Sequence, residues 1–313
     1  MTIDSPSSPT TMCCRLLCAD ANAYGIGPGN VVRPQEPYYS HVGFLQPPRV
    51  IVTGVDGIDA ALVGVCTEGI LVAFRGTLPP ETLTLPVVLD WLQSFSLKPA
   101  KSTVFPGAVH GGFLEAFVSA WPRIESAVSE LRSQYPDQPL HVTGHSKGGA
   151  MATFAAWQLT RSGLRPASVV TFASPRPGDA DFAAAYTALG LAHRRYENHL
   201  DAVPFYPPDF DSLEPLRALP GWSAHHDAAA EWNYTPVGEL HYIAEDGSVV
   251  GSSPDLHRDR VREIVRALLE GHAGRVAGAH SLVPTLPASA TATDAPLVYL
   301  RGVCLDIQPL SGI

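Results

Sequence analysis

The stretch LHVTGHSKGGAMATFAAW, residues 140–157, changes character at its centre. Leu140 to Thr143 is short and apolar, as a buried strand requires, and the run AMATFAAWQL after Gly148 and Gly149 favours a helix. Between them lies GHSKG, with Ser146 flanked by a glycine two residues before and two after. A sharp strand-to-helix turn holds its central residue in a strained backbone conformation, and glycines at those positions remove side chains that would collide. The helix starting beneath Ser146 directs free N–H groups toward developing negative charge. A chance glycine-rich turn would lack the flanking strand and helix, so Ser146 reads as a nucleophile.

Outward from this stretch, Ala60–Val65 and Ile70–Phe74 read as strands joined by a short turn through Thr67–Gly69. Phe113, Phe117, Trp121, Ile124, Val128 and Leu131 recur at spacings of three and four and predict an amphipathic helix over 113–133, weakened or bent at Pro122. Further strands are expected at 168–173 and 194–198, a hairpin at 239–243 and 248–250, and a helix at 256–269. This alternation predicts an α/β fold with a mostly parallel central sheet flanked by helices. Residues 1–12, rich in Ser, Thr and Pro, read as a flexible arm, and 13–313 as a single domain. A Pro-bearing excursion over 78–109 is too long for an ordinary connection and suggests a lid or flap. The tail at 282–296 is rich in Pro, Ala, Ser and Thr.

The chain has 313 residues and a formal net charge of -9, with 45% hydrophobic residues, enough for one sizeable core. The negative balance, without a basic stripe, argues against a nucleic-acid partner. No apolar run approaches the length of a membrane span. The five cysteines, Cys13, Cys14, Cys18, Cys66 and Cys304, do not resemble a disulfide framework, and no fourth ligand follows the first three at metal-site spacing. The first twelve residues lack the pattern of a secretory signal, so a cytoplasmic location is the default expectation.

A serine hydroxyl needs an imidazole to accept its proton and a carboxylate to orient that imidazole, here in the chain order Ser, acid, His. Asp201, in NHLDAVPFYPP just beyond a candidate strand, is the preferred acid, with Asp179 and Asp181 as competitors. Of the histidines after Ser146, His193 and His199 precede Asp201, and His241 lies within a predicted strand. His280, in AGAHSLVP beyond the last helix, is preferred as base over His225, His226, His257 and His272. Lys147, following the nucleophile, can supply its backbone N–H to an oxyanion, and Thr77, leaving the strand ILVAF, both N–H and hydroxyl. His110 in HGG precedes a helix and is assigned packing or hydrogen bonding, and Arg75 and Arg176 are assigned loop ties.

FRGT at 74–77, DW at 90–91, VHGGF at 109–113, VTGHSKGGA at 142–150, TFASPRPGD at 171–179 and DAVPFYPP at 201–208 stand in an order that resembles the class 3 lipase family, typified by fungal triacylglycerol lipases. The resemblance spans roughly residues 55–285. It implies an α/β-hydrolase fold, Ser146 as nucleophile, Asp201 as acid, His280 as base and Thr77 in the oxyanion loop. The implied activity is hydrolysis of carboxylic esters, acylglycerols or other lipid esters among them, through an acyl-enzyme and without metal or organic cofactor. Lys147 replaces the commoner leucine, and Ala173 stands where glycine is frequent. The apolar residues Leu83, Leu85, Val87, Val88, Leu89, Trp91, Leu92 and Phe95 suit a flap over an acyl pocket that touches a lipid surface transiently. A small-molecule carboxylesterase or acyltransferase with the same triad is the enzymatic alternative, and an inactive hydrolase-like binding protein the non-enzymatic one.

Overall fold

In the computed structural model, residues 11–27, 29–54, 57–77, 98–219, 224–253, 255–283 and 298–306 are described. The main sheet has eight strands, β1 (Arg49–Thr53), β2 (Asp59–Cys66), β3 (Gly69–Phe74), β4 (Leu140–His145), β5 (Ser168–Phe172), β6 (His193–Asn198), β7 (Glu239–Ile243) and β8 (Val249–Val250). They lie side by side in chain order. Pairs from β3 to β7 are parallel, while β1–β2, β2–β3 and β7–β8 are antiparallel. The carboxyl ends of β3, β4, β5 and β6 therefore open onto one edge, where loops of open α/β sheets gather functional groups.

Strands buried on both faces explain the continuous apolar runs. Along β2 and β3, Ala61, Val63, Val65, Ile70, Val72 and Phe74 pack into one core with α2 (Gly111–Gln134) and α3 (Lys147–Arg161). Leu62, Leu71 and Ala73 face a second core formed with α1 (Met12–Ala23). Pro122 does not end α2, because the Phe113, Phe117, Ile124, Val128 and Leu131 face remains buried on both sides of it. A third cluster joins α4 (Leu256–Leu269) and α5 (Ala273–Ala279) to Leu200 and Phe205 in the loop after β6.

The described residues bear on three expectations. Met12 is helical and Thr11 caps α1, its hydroxyl accepting from the Cys14 N–H, so the N-terminal arm cannot extend through residue 12. Residues 1–10 lie outside the described residues, as do 78–97 of the expected lid and 284–296 of the tail, while 99–101 and 108–110 pair as strands of a separate small sheet. The cysteines include one cystine, Cys14–Cys304, and the thiols of Cys13, Cys18 and Cys66 are free and buried. The bond fixes α1 to the end of α6 (Tyr299–Val303) across 290 positions, a separation from which no spacing pattern could be read.

Burial shapes the titration of this frame. His110 caps α2, its Nδ1 accepting from the Phe113 N–H, and stacks on the Phe113 ring. His193 opens β6 between the hydroxyls of Thr171 and Tyr186. Burial pushes both, and His145 at the end of β4, down to about 3. Unfolding releases each to an ordinary value near 6.5, so the unfolded chain binds more protons between these limits. Their contribution to stability is whole above pH 6.5 and is lost as pH falls toward 3, by roughly 2 kcal/mol for each at pH 5. Thermal unfolding should therefore shift steeply downward between pH 7 and pH 5, with a shallower slope in His193→Gln; an unfolding temperature flat over that range would contradict neutral burial.

Candidate active site

Ser146 sits between β4 and α3 with φ 56° and ψ −133°, a left-handed backbone that a non-glycine residue adopts only under constraint. The surrounding contacts supply it. The Ser146 N–H donates to Phe172 O on β5, and Ser146 O accepts from the Gly149 N–H. A Cβ on Gly144 would lie 2.0 Å from Gly148 O, and one on Gly148 would lie 2.1 Å from Phe74 O, so any larger residue would force the crossing chains apart. Ala173 has φ 52°, which accounts physically for glycine being frequent there.

His280 follows α5 directly. Its Nδ1 lies 3.2 and 3.1 Å from the two carboxylate oxygens of Asp201, which is fully buried. A carboxylate only accepts, so Nδ1 carries the hydrogen of these contacts. Asp201 also accepts from the Val203 N–H at 3.0 Å and from the Tyr299 hydroxyl at 2.6 Å. Burial alone would raise this carboxyl, but the His280 ring and the donated hydrogen bonds outweigh it and hold Asp201 below its ordinary value.

His145, next to Ser146 in the chain, joins it to this pair. Its Nε2 donates to the His280 carbonyl at 2.8 Å, and its Nδ1 accepts from the Tyr24 hydroxyl at 2.6 Å. The rings of His145 and His280 are 4.5 Å apart. Burial, followed by repulsion from His280, holds His145 neutral, so it binds the His280 carbonyl without adding charge. Asn198 at the end of β6 donates from its amide to Ala279 O and from its backbone to the Tyr299 oxygen, tying α5 and α6 to the same edge.

Of the ten buried side-chain polar atoms without a hydrogen-bond partner among the described residues, two are hydroxyls that follow β3 and β4. Ser146 Oγ and Thr77 Oγ1 are buried and have no hydrogen-bond partner among the described residues. Buried hydroxyls are ordinarily paired, and a free pair beside an elbow is what a reacting carbonyl would need. Thr77 thus does not spend its hydroxyl on a turn. The Lys147 N–H lies at the start of α3, where an amide has no acceptor within the helix.

The competing residues are occupied elsewhere. Asp179 caps the helix at 180–188, accepting from the Phe182 and Ala108 N–H groups, and Asp181 is exposed in its first turn. His257 meets the Ser212 hydroxyl at 3.0 Å, His241 lies 3.4 Å from Asp306, and His272 faces Glu270. The side chains of His225 and His226 lie outside the described residues. Arg75 donates to Gly57 O and Ile58 O, and Arg176 to Pro207 O and Asp209. Among the described residues no group of three or more His, Cys, Asp or Glu could hold a metal. Sequence reading did not assign Tyr24, His145, Asp59 or Tyr299; His145 alone had a visible signal, its place beside the nucleophile.

Residues 71–210 match the family model Lipase (class 3). Over 122 residues the chain is 38% identical to a secreted mono- and diacylglycerol lipase of Fusarium solani, covering 39% of this chain and 36% of that protein. Over 177 residues it is 30% identical to phospholipase A1-II 4 of Oryza sativa subsp. japonica, covering 48% and 43%. The chain thus spans less than half the length of these relatives. In fold it is similar to the Rhizomucor miehei lipase in its propeptide complex, with a TM-score of 0.61 and 22% identity over 83% of this chain and 75% of that one. A triacylglycerol lipase of Penicillium expansum gives a TM-score of 0.55 at 19% identity, over 79% and 85%. The architecture is that of the α/β-hydrolases, and residues 71–210 of this chain are similar to the class 3 lipase family.

Proposed function

We propose that the protein is a serine hydrolase that cleaves carboxylic esters of lipids through an acyl-enzyme. The observation that carries this reading is the Asp201–His280 pair, joined through His145 to an elbow serine whose hydroxyl is buried and unpaired. His280 Nε2 takes the Ser146 proton as Oγ attacks the acyl carbon. Asp201 stabilises the resulting imidazolium, and His280 then protonates the leaving alcohol. Water repeats the sequence on the acyl-enzyme. The backbone N–H groups of Lys147 and Thr77, with the Thr77 hydroxyl, serve the oxyanion, and losing one such donor costs about 3 kcal/mol. An inactive binding protein would have no need to keep an ionised Asp201 against His280 at the catalytic edge.

Ser146→Ala should lower kcat for a p-nitrophenyl ester by about 10,000-fold or more while leaving the unfolding temperature near that of the wild type. Wild-type rates in the folded variant would eliminate the mechanism.

Support for lipid substrates comes from the family match and from relatives named as acylglycerol lipase and phospholipase. The apolar flap at 83–95 lies outside the described residues, so a transient lipid-surface contact rests on composition. Across esters of increasing acyl length, kcat/KM should rise well beyond acetate, since each buried methylene contributes about 0.8 kcal/mol. A maximum at acetate would favour the small-molecule esterase.

The Cys14–Cys304 cystine and the cytoplasmic expectation pull in opposite directions, because reducing compartments keep thiols open. The cystine is the more direct guide, and we infer an oxidising compartment. Protein isolated without reductant and then denatured should titrate three thiols; five would restore the cytoplasmic reading.

A further inference from the structure

Lys147 occupies a place where an ammonium is costly. It is the first residue of α3, at the positive end of the helix dipole, and its side chain is only 7% exposed. A lone buried ammonium would cost several kcal/mol. Its compensation is the carboxylate of Asp59, 6% exposed, which the ammonium meets in a short ion pair. Replacing such a pair with apolar residues of similar volume is often neutral or stabilising. Net stability is therefore a weak reason for the pair to stand directly beside the nucleophile.

The surroundings of Asp59 supply a stronger one. Asp59 opens β2, and the residues around it hold the other side of the oxyanion pocket. The Arg75 guanidinium donates to Gly57 O at 2.8 Å and Ile58 O at 3.1 Å, and the Arg75 N–H donates to Ala60 O at 2.9 Å. Gly76, next in the chain, touches the elbow so closely that a Cβ would lie 2.7 Å from both His145 O and Ser146 Cβ. Thr77, with its unpaired buried hydroxyl, follows. Residues 57–60 thus grip Arg75 through three backbone carbonyls and Lys147 through one carboxylate. The two oxyanion donors hang from a common segment, and an ion pair between side chains enforces direction as well as contact.

Resting on the ester-hydrolase reading, we propose that Lys147 and Asp59 form a positioning pair that sets the spacing between the Lys147 N–H and the Thr77 donors. Its contribution is made in the transition state, when the carbonyl oxygen becomes tetrahedral and needs both donors at once. Loss of the pair therefore lowers kcat and leaves ground-state binding alone.

The test compares wild type, the charge-free double variant Lys147→Met with Asp59→Leu, and Asp59→Asn. Each is measured for unfolding temperature, kcat and KM on a p-nitrophenyl ester, and inhibition by an alkyl boronic acid, whose tetrahedral adduct on Ser146 imitates the oxyanion. In the folded double variant, kcat should fall 10- to 100-fold, boronate affinity should fall in parallel, and KM should stay within threefold. Asp59→Asn keeps an acceptor for the ammonium and covers the case in which the double variant does not fold; its kcat and boronate affinity should fall threefold or more together. Wild-type kcat and boronate affinity in either folded variant, whatever the change in unfolding temperature, would overturn the positioning role. A wild-type protein without ester hydrolysis would instead reject the reading on which the proposal rests.

Discussion

The close crossing of backbone at Gly144 and Gly148 governs the arrangement of the rest of the site. With a Cβ on either glycine barred by a carbonyl oxygen near 2 Å, the chain turns from β4 into α3 with no room between them, and Ser146 is driven into its left-handed conformation at the tip. The same crossing brings Phe74 O against Gly148, so the end of β3 passes beside Ser146. Because β3 to β6 are parallel and adjacent in chain order, the positions following them line one edge: Thr77 after β3, Ser146 after β4, Arg176 after β5 and Asp201 after β6. Strand order thus converts a succession in sequence into a row of groups in space.

Electrostatics then divides that row. Asp201 stays ionised although fully buried, because every oxygen has a donor: the His280 ring, the Tyr299 hydroxyl and the Val203 N–H. His145, one residue before Ser146, takes the opposite course and stays neutral. A charged ring there would stand 4.5 Å from the His280 ring. A neutral ring can still hold the His280 carbonyl and accept from Tyr24.

Local signals were legible in the sequence and distant pairings were not. The elbow, the β2–β3 hairpin, the helices at 111–134 and 256–269 and the hairpin at 239–250 each declare themselves through periodicity or glycine placement within a few residues. Asp201 and His280 were selected by order along the chain and by resemblance, and the structure brings them within hydrogen-bond distance of each other. Tyr299 comes 98 positions after the carboxylate it serves, Asp59 lies 88 positions before the lysine it pairs with, and Cys304 lies 290 from Cys14. No pattern of period or spacing links such positions. Cys13, Cys14 and Cys18 share one helix, and only the packing of α1 against α6 decides which sulfur meets Cys304.

The distant pairings serve one purpose. Asp201 and His280 stand on loops, and loops hold a geometry only when something rigid is fastened to them. Leu200 and Phe205 pack the Asp201 loop onto α4 and α5, whose end delivers His280, so Asp201 and His280 share one apolar support. Tyr299 reaches Asp201 from α6, which is bound covalently to α1 through Cys304 and Cys14, and α1 ends at Tyr24, the partner of His145. From Asp201 the connection runs through Tyr299, α6, the cystine, α1, Tyr24 and His145, and returns to His280. A closed circuit of this kind resists the motion that a single hydrogen bond between two loops would permit, because the loop carrying Asp201 cannot drift from His280 without displacing two helices.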